Sequence, residues 1–132
     1  MTYAPRNKIS INGNYTLPID AKYGTINVGM TFTHTDAQHT TYSDVGIPAQ
    51  VFLPSGGIGN TTDAGLIPAI DLLDLNASWK GVLGSPVDLS AFATNVTGKK
   101  YYAGVQGLLG LGFEVGQLGA PRIFGMRAKI HF

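Results

Sequence analysis

Apolar and polar side chains alternate at every second position in five segments, and this pattern constrains the fold more than any other feature. A β-strand places successive side chains on opposite faces, so each segment predicts a two-faced strand of about ten residues. No segment keeps a 3.6-residue apolar period over three turns, and the predicted fold class is therefore all-β. The five segments are residues 8–17, 25–34, 72–81, 87–96 and 121–132.

The connections between these segments alternate in length. Pro18 with "IDAKYG" and the tight "LGSPVD" make two short turns, whereas residues 41–66 and 103–120 look long and irregular. Short connections join antiparallel neighbours, so we predict an antiparallel up-and-down meander of about five long strands. "GLGFEVG", from Gly110 to Gly116, lacks a following helix pattern and is interpreted as a flexible loop rather than a dinucleotide site.

The composition and three further features favour lipid over a protein core against the apolar faces. Hydrophobic residues make up 44% of the chain and charged residues only 13%, about half the usual charged share of a soluble domain. The strands have the length of about 9–11 residues that crosses a bilayer, and outer-membrane barrels alternate short turns with long loops. Aromatic residues gather at strand ends, as in an interfacial girdle: Tyr15, Trp79, Tyr101, Tyr102 and Phe132.

The alternate polar positions are expected to line a wet interior. In the closing segment "PRIFGMRAKIHF", basic residues alternate with apolar ones, and the third segment alternates in the same way. A partial transmembrane β-barrel would place these residues in its lumen. They are Asp74, Asn76, Lys80, Arg127, Lys129 and His131. Phe92 interrupts the polar series of the fourth segment.

In four places, taken in order, the sequence resembles the C-terminal barrel strands of TonB-dependent outer-membrane receptors. "YAPRNKISINGNYTLP" and "LLDLNASWKG" are similar to two strands of that barrel, and "APRIFGMRAKIHF" is similar to its closing strand. "VDLSAFATNVTGKKYYAG" resembles a recurring segment through Asn95, Thr97, Lys99 or Lys100, and Tyr101. Gly98 departs from that segment, where an acidic or polar residue is common.

The resemblance implies a function and a set of partners. Residues 1–132 would be the C-terminal part of a plugged barrel of about 22 strands that imports nutrients such as iron–siderophore complexes across the bacterial outer membrane. The partners would be outer-membrane lipid, the barrel-assembly machinery, the earlier strands and plug of the receptor, and TonB through that plug. The closing strand would also carry the assembly signal, formed by Phe124, Met126, Ala128, Ile130 and Phe132.

Five strands do not close a transport barrel, because single-chain bacterial barrels have at least about 8. We therefore expect a fragment, without plug or energy-coupling segment, that does not transport alone. The alternative is a small soluble β-barrel or sandwich that binds an apolar ligand with the same face as its core. The small residues on that face would pack poorly as a core: Gly13, Ala77, Ala91, Ala93 and Ala128.

No other chemistry is indicated, and we expect neither an enzyme nor a cofactor. Cysteine is absent, and a net charge of +1 predicts no nucleic-acid partner. His34 and His39 are five residues apart, which favours surface or loop histidines over a metal pair. The odd spacing of Asp71 and Asp74 puts them on opposite strand faces, so no catalytic carboxylate pair is predicted.

Overall fold

The computed structural model describes residues 4–40, 46, 48–53, 55–61, 63–108 and 113–132. Within these ranges the chain forms eleven β-strands and two single-turn 3-10 helices, η1 (Ala21–Tyr23) and η2 (Val82–Gly84), so the all-β prediction is confirmed. The strands are β1 (Lys8–Thr16), β2 (Thr25–Thr35), β3 (Gln38–His39), β4 (Ala49–Phe52), β5 (Ile58–Thr61), β6 (Leu66–Ile67), β7 (Ile70–Lys80), β8 (Val87–Thr94), β9 (Tyr102–Leu108), β10 (Phe113–Leu118) and β11 (Ile123–Ile130).

The five long strands form one antiparallel sheet in the order β1-β2-β7-β8-β11. Their order in the sheet is their order along the chain, which confirms the predicted meander. Each strand lies within two residues of its predicted bounds, because the alternation that marks the sequence continues as far as the ladder does.

The chain divides into two units. The sheet unit comprises Ser10–Thr33, Leu72–Gly98 and Arg122–Phe132. The hairpin unit comprises the described residues of Met1–Ile9, His34–Asp71 and Lys99–Pro121.

The hairpin unit contains three two-stranded sheets, β3–β6, β4–β5 and β9–β10, where the sequence predicted irregular chain. β9 and β10 pair from Phe113 opposite Leu108 to Leu118 opposite Tyr102, with an irregularity beside Leu118. The flexible-loop interpretation is thus wrong for residues 113–116, which lie in β10, and residues 109–112 lie outside the described residues. β3 and β6 have only two residues each, and in β9 ("YAGVQGL") and β10 ("FEVGQL") glycine and glutamine interrupt the period-2 pattern.

The two short turns of the sheet unit are built from local hydrogen bonds. Asp20 caps η1 by accepting from the Lys22 amide at 3.1 Å. Gly24 ends η1 at φ +87°, and a Cβ atom there would collide with the backbone carbonyls of Lys80 and Gly81. This position therefore requires glycine, both for its left-handed conformation and for the close approach of the two turns.

Phe92, which interrupts the polar series in the sequence, has a structural partner. It pairs with Gly125 across β8 and β11, and a Cβ atom on Gly125 would collide with the Phe92 ring. The aromatic ring therefore covers the glycine of the neighbouring strand, a known means of stabilising glycine in sheets.

We predict that Gly125→Ala lowers the free energy of unfolding by about 1–3 kcal/mol, because the new methyl group displaces the Phe92 ring. Gly13→Ala is the matched control, since nothing lies within 4 Å of a Cβ atom at Gly13. Chemical denaturation measures both. In a Phe92→Ala background the Gly125→Ala penalty should disappear; a penalty that persists there would show that the ring is not its cause.

Candidate functional site: the two faces of the five-stranded sheet

One face of the sheet unit is apolar across all five strands. The pairing aligns Leu75 with Ala93, and Ala93 with Phe124, so their side chains share a face. Many of these side chains are largely exposed, including Met126 at 84% and Phe124 at 69%. The exposed large apolar residues of this face include Ile11, Tyr15, Val28, Met30, Leu75, Leu89, Phe124, Met126 and Ile130.

This apolar face is not the protein's core. Among the described residues, the buried hydrophobic side chains are those of Ala64, Ile67 and Val105, all in the hairpin unit. Monomeric soluble proteins rarely expose a contiguous apolar surface of this extent, so the face indicates contact with lipid or with another protein.

The opposite face carries the polar positions, and cross-strand hydrogen bonds join them. Asn12 accepts from the Thr31 hydroxyl at 2.7 Å, and Asn27 accepts from Thr16 at 2.5 Å. The six residues predicted to line the lumen share this face: in the aligned strands Asn76 is opposite Phe92, Arg127 opposite Ser90, and Lys129 opposite Asp88. Their exposure to a lumen remains a prediction.

Aromatic residues lie at the short-turn end of the apolar face. The Trp79 indole donates to the Tyr23 carbonyl at 2.7 Å, which fixes the ring against η1, and Tyr15 is 60% exposed. Tyr23 is itself exposed and was missed because it lies in a turn rather than in an alternating segment. An indole with one wet edge and one apolar edge suits a membrane–water boundary.

The other predicted interface aromatics have different surroundings. In the hairpin unit, the Tyr101 ring packs over Gly119 and the Tyr102 ring over Gly116. The Tyr102 hydroxyl is enclosed without a hydrogen-bond partner among the described atoms, and burial, together with the charge of Glu114, raises the pKa of Tyr102. This is not the wet hydroxyl expected of a girdle tyrosine. Phe132 lies past the end of β11 and is fully exposed.

Four of the five residues assigned by resemblance to an assembly signal lie in β11. The pairing with β8 puts Phe124, Met126, Ala128 and Ile130 on the apolar face. This strand has β8 on one side, and its other edge has no partner strand among the described residues. Recognition of this edge by an assembly machinery remains a prediction.

Each histidine pairs with an aspartate distant in the sequence. His34 lies 2.6 Å from Asp71 and 2.9 Å from Asp36, and Asn7 donates to Asp36 at 2.8 Å. The hydrogen bond from His34 and then that from Asn7 hold the pKa of Asp36 below its ordinary value. The His34–Asp71 pair joins the neighbouring strands β2 and β7, so it could have been predicted by aligning these two strands in the sequence.

The second histidine pair lies within the hairpin unit. His39 Nε2 is 2.7 Å from Asp63, which also accepts from the Gly46 amide at 2.8 Å. The His39 hydrogen bond, and then the Gly46 amide, lower the pKa of Asp63. His34 and His39 therefore have separate carboxylate partners rather than a shared ligand.

The third histidine pair closes one turn of the sheet unit. His131 Nε2 lies 2.9 Å from Asp88, and Asp88 also accepts from the Gly81 amide at 2.8 Å. Asp74 accepts instead from the Asn95 amide at 2.8 Å, on the face opposite Asp71. Within the described part of the chain, no group of three His, Cys, Asp or Glu residues is arranged to hold a metal ion.

In comparisons with known proteins, no family model, curated protein or solved structure matches the chain. Among the described residues, no helix is long and apolar enough to cross a membrane.

We predict that the carboxyl of Asp63 titrates below its ordinary value of about 3.9, because the charged form accepts two hydrogen bonds. Its folded pKa is lowered. Asp63 therefore stabilises the hairpin unit above the unfolded pKa, and this contribution is lost as pH falls through the folded pKa. NMR titration of the carboxyl carbon measures it. His39→Gln should raise the midpoint, whereas Asp20→Asn, remote in sequence, serves as the control; an unchanged midpoint in His39→Gln would refute the coupling.

Proposed function

We propose that the five-stranded sheet is a membrane-spanning arc of an outer-membrane β-barrel, with its apolar face against lipid and its polar face toward the lumen. The observation that carries the proposal is the apolar face of the sheet, which is exposed across all five strands while the buried apolar residues of the described chain lie elsewhere. A lipid bilayer covers such a face without requiring the close packing of a protein core.

Strand length supports the same proposal. The five strands contain 9, 11, 11, 8 and 8 residues, close to the 9–11 or so that a tilted strand needs to cross a bilayer. They are joined by two short turns and two long connections, as in barrels with short periplasmic turns and long outer loops.

The small side chains of the apolar face favour lipid over a core. Ala77 is opposite Ala91, and Ala91 is opposite Met126, so the centre of the face combines small and large residues. Fluid acyl chains adapt to such an uneven surface, whereas a protein core would be left with voids that cost stability.

The resemblance to TonB-dependent receptors gives the proposed barrel its function. The chain would be the terminal barrel segment of a nutrient importer, for example of iron–siderophore complexes, and its partners would be the rest of the barrel, the plug and the assembly machinery. The polar face, cross-linked by pairs such as Asn12–Thr31, has the chemistry to line the wet side of such a barrel.

Trp79 is the one tryptophan of the chain and reports directly on the apolar face. We predict that lipids brominated near the headgroup quench its fluorescence more than lipids brominated near the chain end, because Trp79 lies at the short-turn end of the face. The chain is folded in detergent micelles that contain the brominated lipid, with unbrominated lipid as the control. A monomer that melts cooperatively in detergent-free buffer, with no quenching, would support the soluble apolar-ligand binder instead.

The substitution Leu75→Arg tests the same face through its effect on the free energy of unfolding. An arginine facing the bilayer midplane costs about 2–4 kcal/mol, whereas an exposed position in water tolerates it within about 0.5 kcal/mol. Ser78→Arg, on the polar face of the same strand, is the matched control. Denaturant unfolding from detergent micelles, which cover the apolar face without a closed barrel, should show a penalty for Leu75→Arg alone, and equal effects of the two substitutions would argue against a lipid-facing surface.

A further inference from the structure

The apolar face contains an open depression of about 450 Å³. Its walls are the larger side chains of Val28, Leu75, Phe124 and Met126, and its floor is formed by small residues of β7 and β8. The floor residues are Ala77, Ala91 and Ala93. The volume lies within the range of about 300–1,000 Å³ found for small-molecule sites, and the lining is almost entirely carbon.

A cation lies beside Phe124, one of the walls of this depression. The Arg122 guanidinium carbon is 5.6 Å from the centre of the Phe124 ring, and Phe124 is a wall of the depression. Arg122 and Phe124 are two residues apart, so they share a face as β11 begins. Among the described residues, the Arg122 guanidinium donates one long hydrogen bond, of 3.5 Å, to the Val96 carbonyl, so most of its five N–H donors can bind another acceptor.

We propose that this depression binds one acyl chain of a phosphate-bearing membrane lipid, and that Arg122 binds the lipid's phosphate. The proposal rests on the lipid-facing role of the sheet given above and names the ligand class of that face. Two features together indicate a lipid: the depression accepts hydrocarbon, and the charge beside its Phe124 wall complements an anionic headgroup. Arginine is well suited to such a phosphate because its planar fork donates two parallel hydrogen bonds.

The position of Arg122 fits the bilayer geometry. β11 begins at Ile123, after a long connection, so Arg122 lies at the strand end where a spanning strand reaches the headgroup region. There the guanidinium lies over the Phe124 ring, a cation–π contact at the boundary between apolar and polar surroundings. Arg127, by contrast, pairs with Ser90 on the polar face and does not face lipid.

The test uses the full chain folded in non-ionic detergent micelles and titrated with phosphatidylglycerol, with bound lipid counted by native mass spectrometry. The unaltered chain should retain one phosphatidylglycerol, and much less of a diacylglycerol with the same acyl chains. Arg122→Gln should weaken retention about tenfold or more, the loss expected for a charge-assisted hydrogen bond. Arg122→Lys should restore part of it.

Filling the depression tests the acyl-chain half of the proposal. Ala91→Leu should also weaken retention, because its side chain occupies the floor. Two matched controls should leave retention unchanged: Ala128→Leu, on the same face but outside the depression, and Arg127→Gln, on the polar face.

Four results would overturn the lipid site: no retained lipid, equal retention of the diacylglycerol, equal losses in the controls, or free glycerol phosphate binding as well as the whole lipid. Trp79 quenching by brominated lipid, measured on the same variants, shows whether each remains folded against lipid. If brominated lipid quenches Trp79 but the unaltered chain retains no lipid, the lipid site alone is overturned. If the unaltered chain shows neither quenching nor retention, the proposed function is overturned as well.

Discussion

Backbone hydrogen bonding between neighbouring strands is the constraint on which the rest of the sheet unit depends. Once Leu75 is opposite Ala93 and Ala93 is opposite Phe124, every other side chain has its face assigned, because the period of a strand is two residues. A shift of one residue in the pairing of any strand would move the apolar side chains of that strand to the polar face. The exposed apolar face, the polar cross-links and the Phe92–Gly125 contact all follow from this register.

The hairpin unit depends on a different kind of interaction. Its buried apolar residues in the described chain are few, and polar pairs such as His39–Asp63 join segments that are distant in the sequence. Glu114 is buried and accepts from the Gly65 amide, which ties β10 to the turn before β6. Together with the buried Ala64, Ile67 and Val105, these polar links hold the segments of the unit together.

The sequence predicts the sheet well and the polar pairs poorly, and the reason is physical. Strand bounds and faces are local properties: the alternation in "LLDLNASWKG" identifies β7 without knowledge of its neighbours. Phe92 departs from the alternation of β8, and the residue that explains it, Gly125, lies 33 residues away. The His131–Asp88 pair spans 43 residues and depends on a register that no single segment determines. The short strands β4 and β5 contain four residues each, the shortest run in which alternation is informative.

Strand direction limits what can complete the sheet. β1 and β11 are separated by four antiparallel pairings, so they run in the same direction, and each has one neighbour among the described strands. A second copy added in the same orientation would place β11 beside a parallel β1. Antiparallel pairing at both edges therefore requires an odd number of further strands, which gives an even total, as in single-chain bacterial barrels. Because unpaired edges are not tolerated in hydrocarbon, a sheet that spans a membrane needs these strands, and a single identical copy in the same orientation does not supply them.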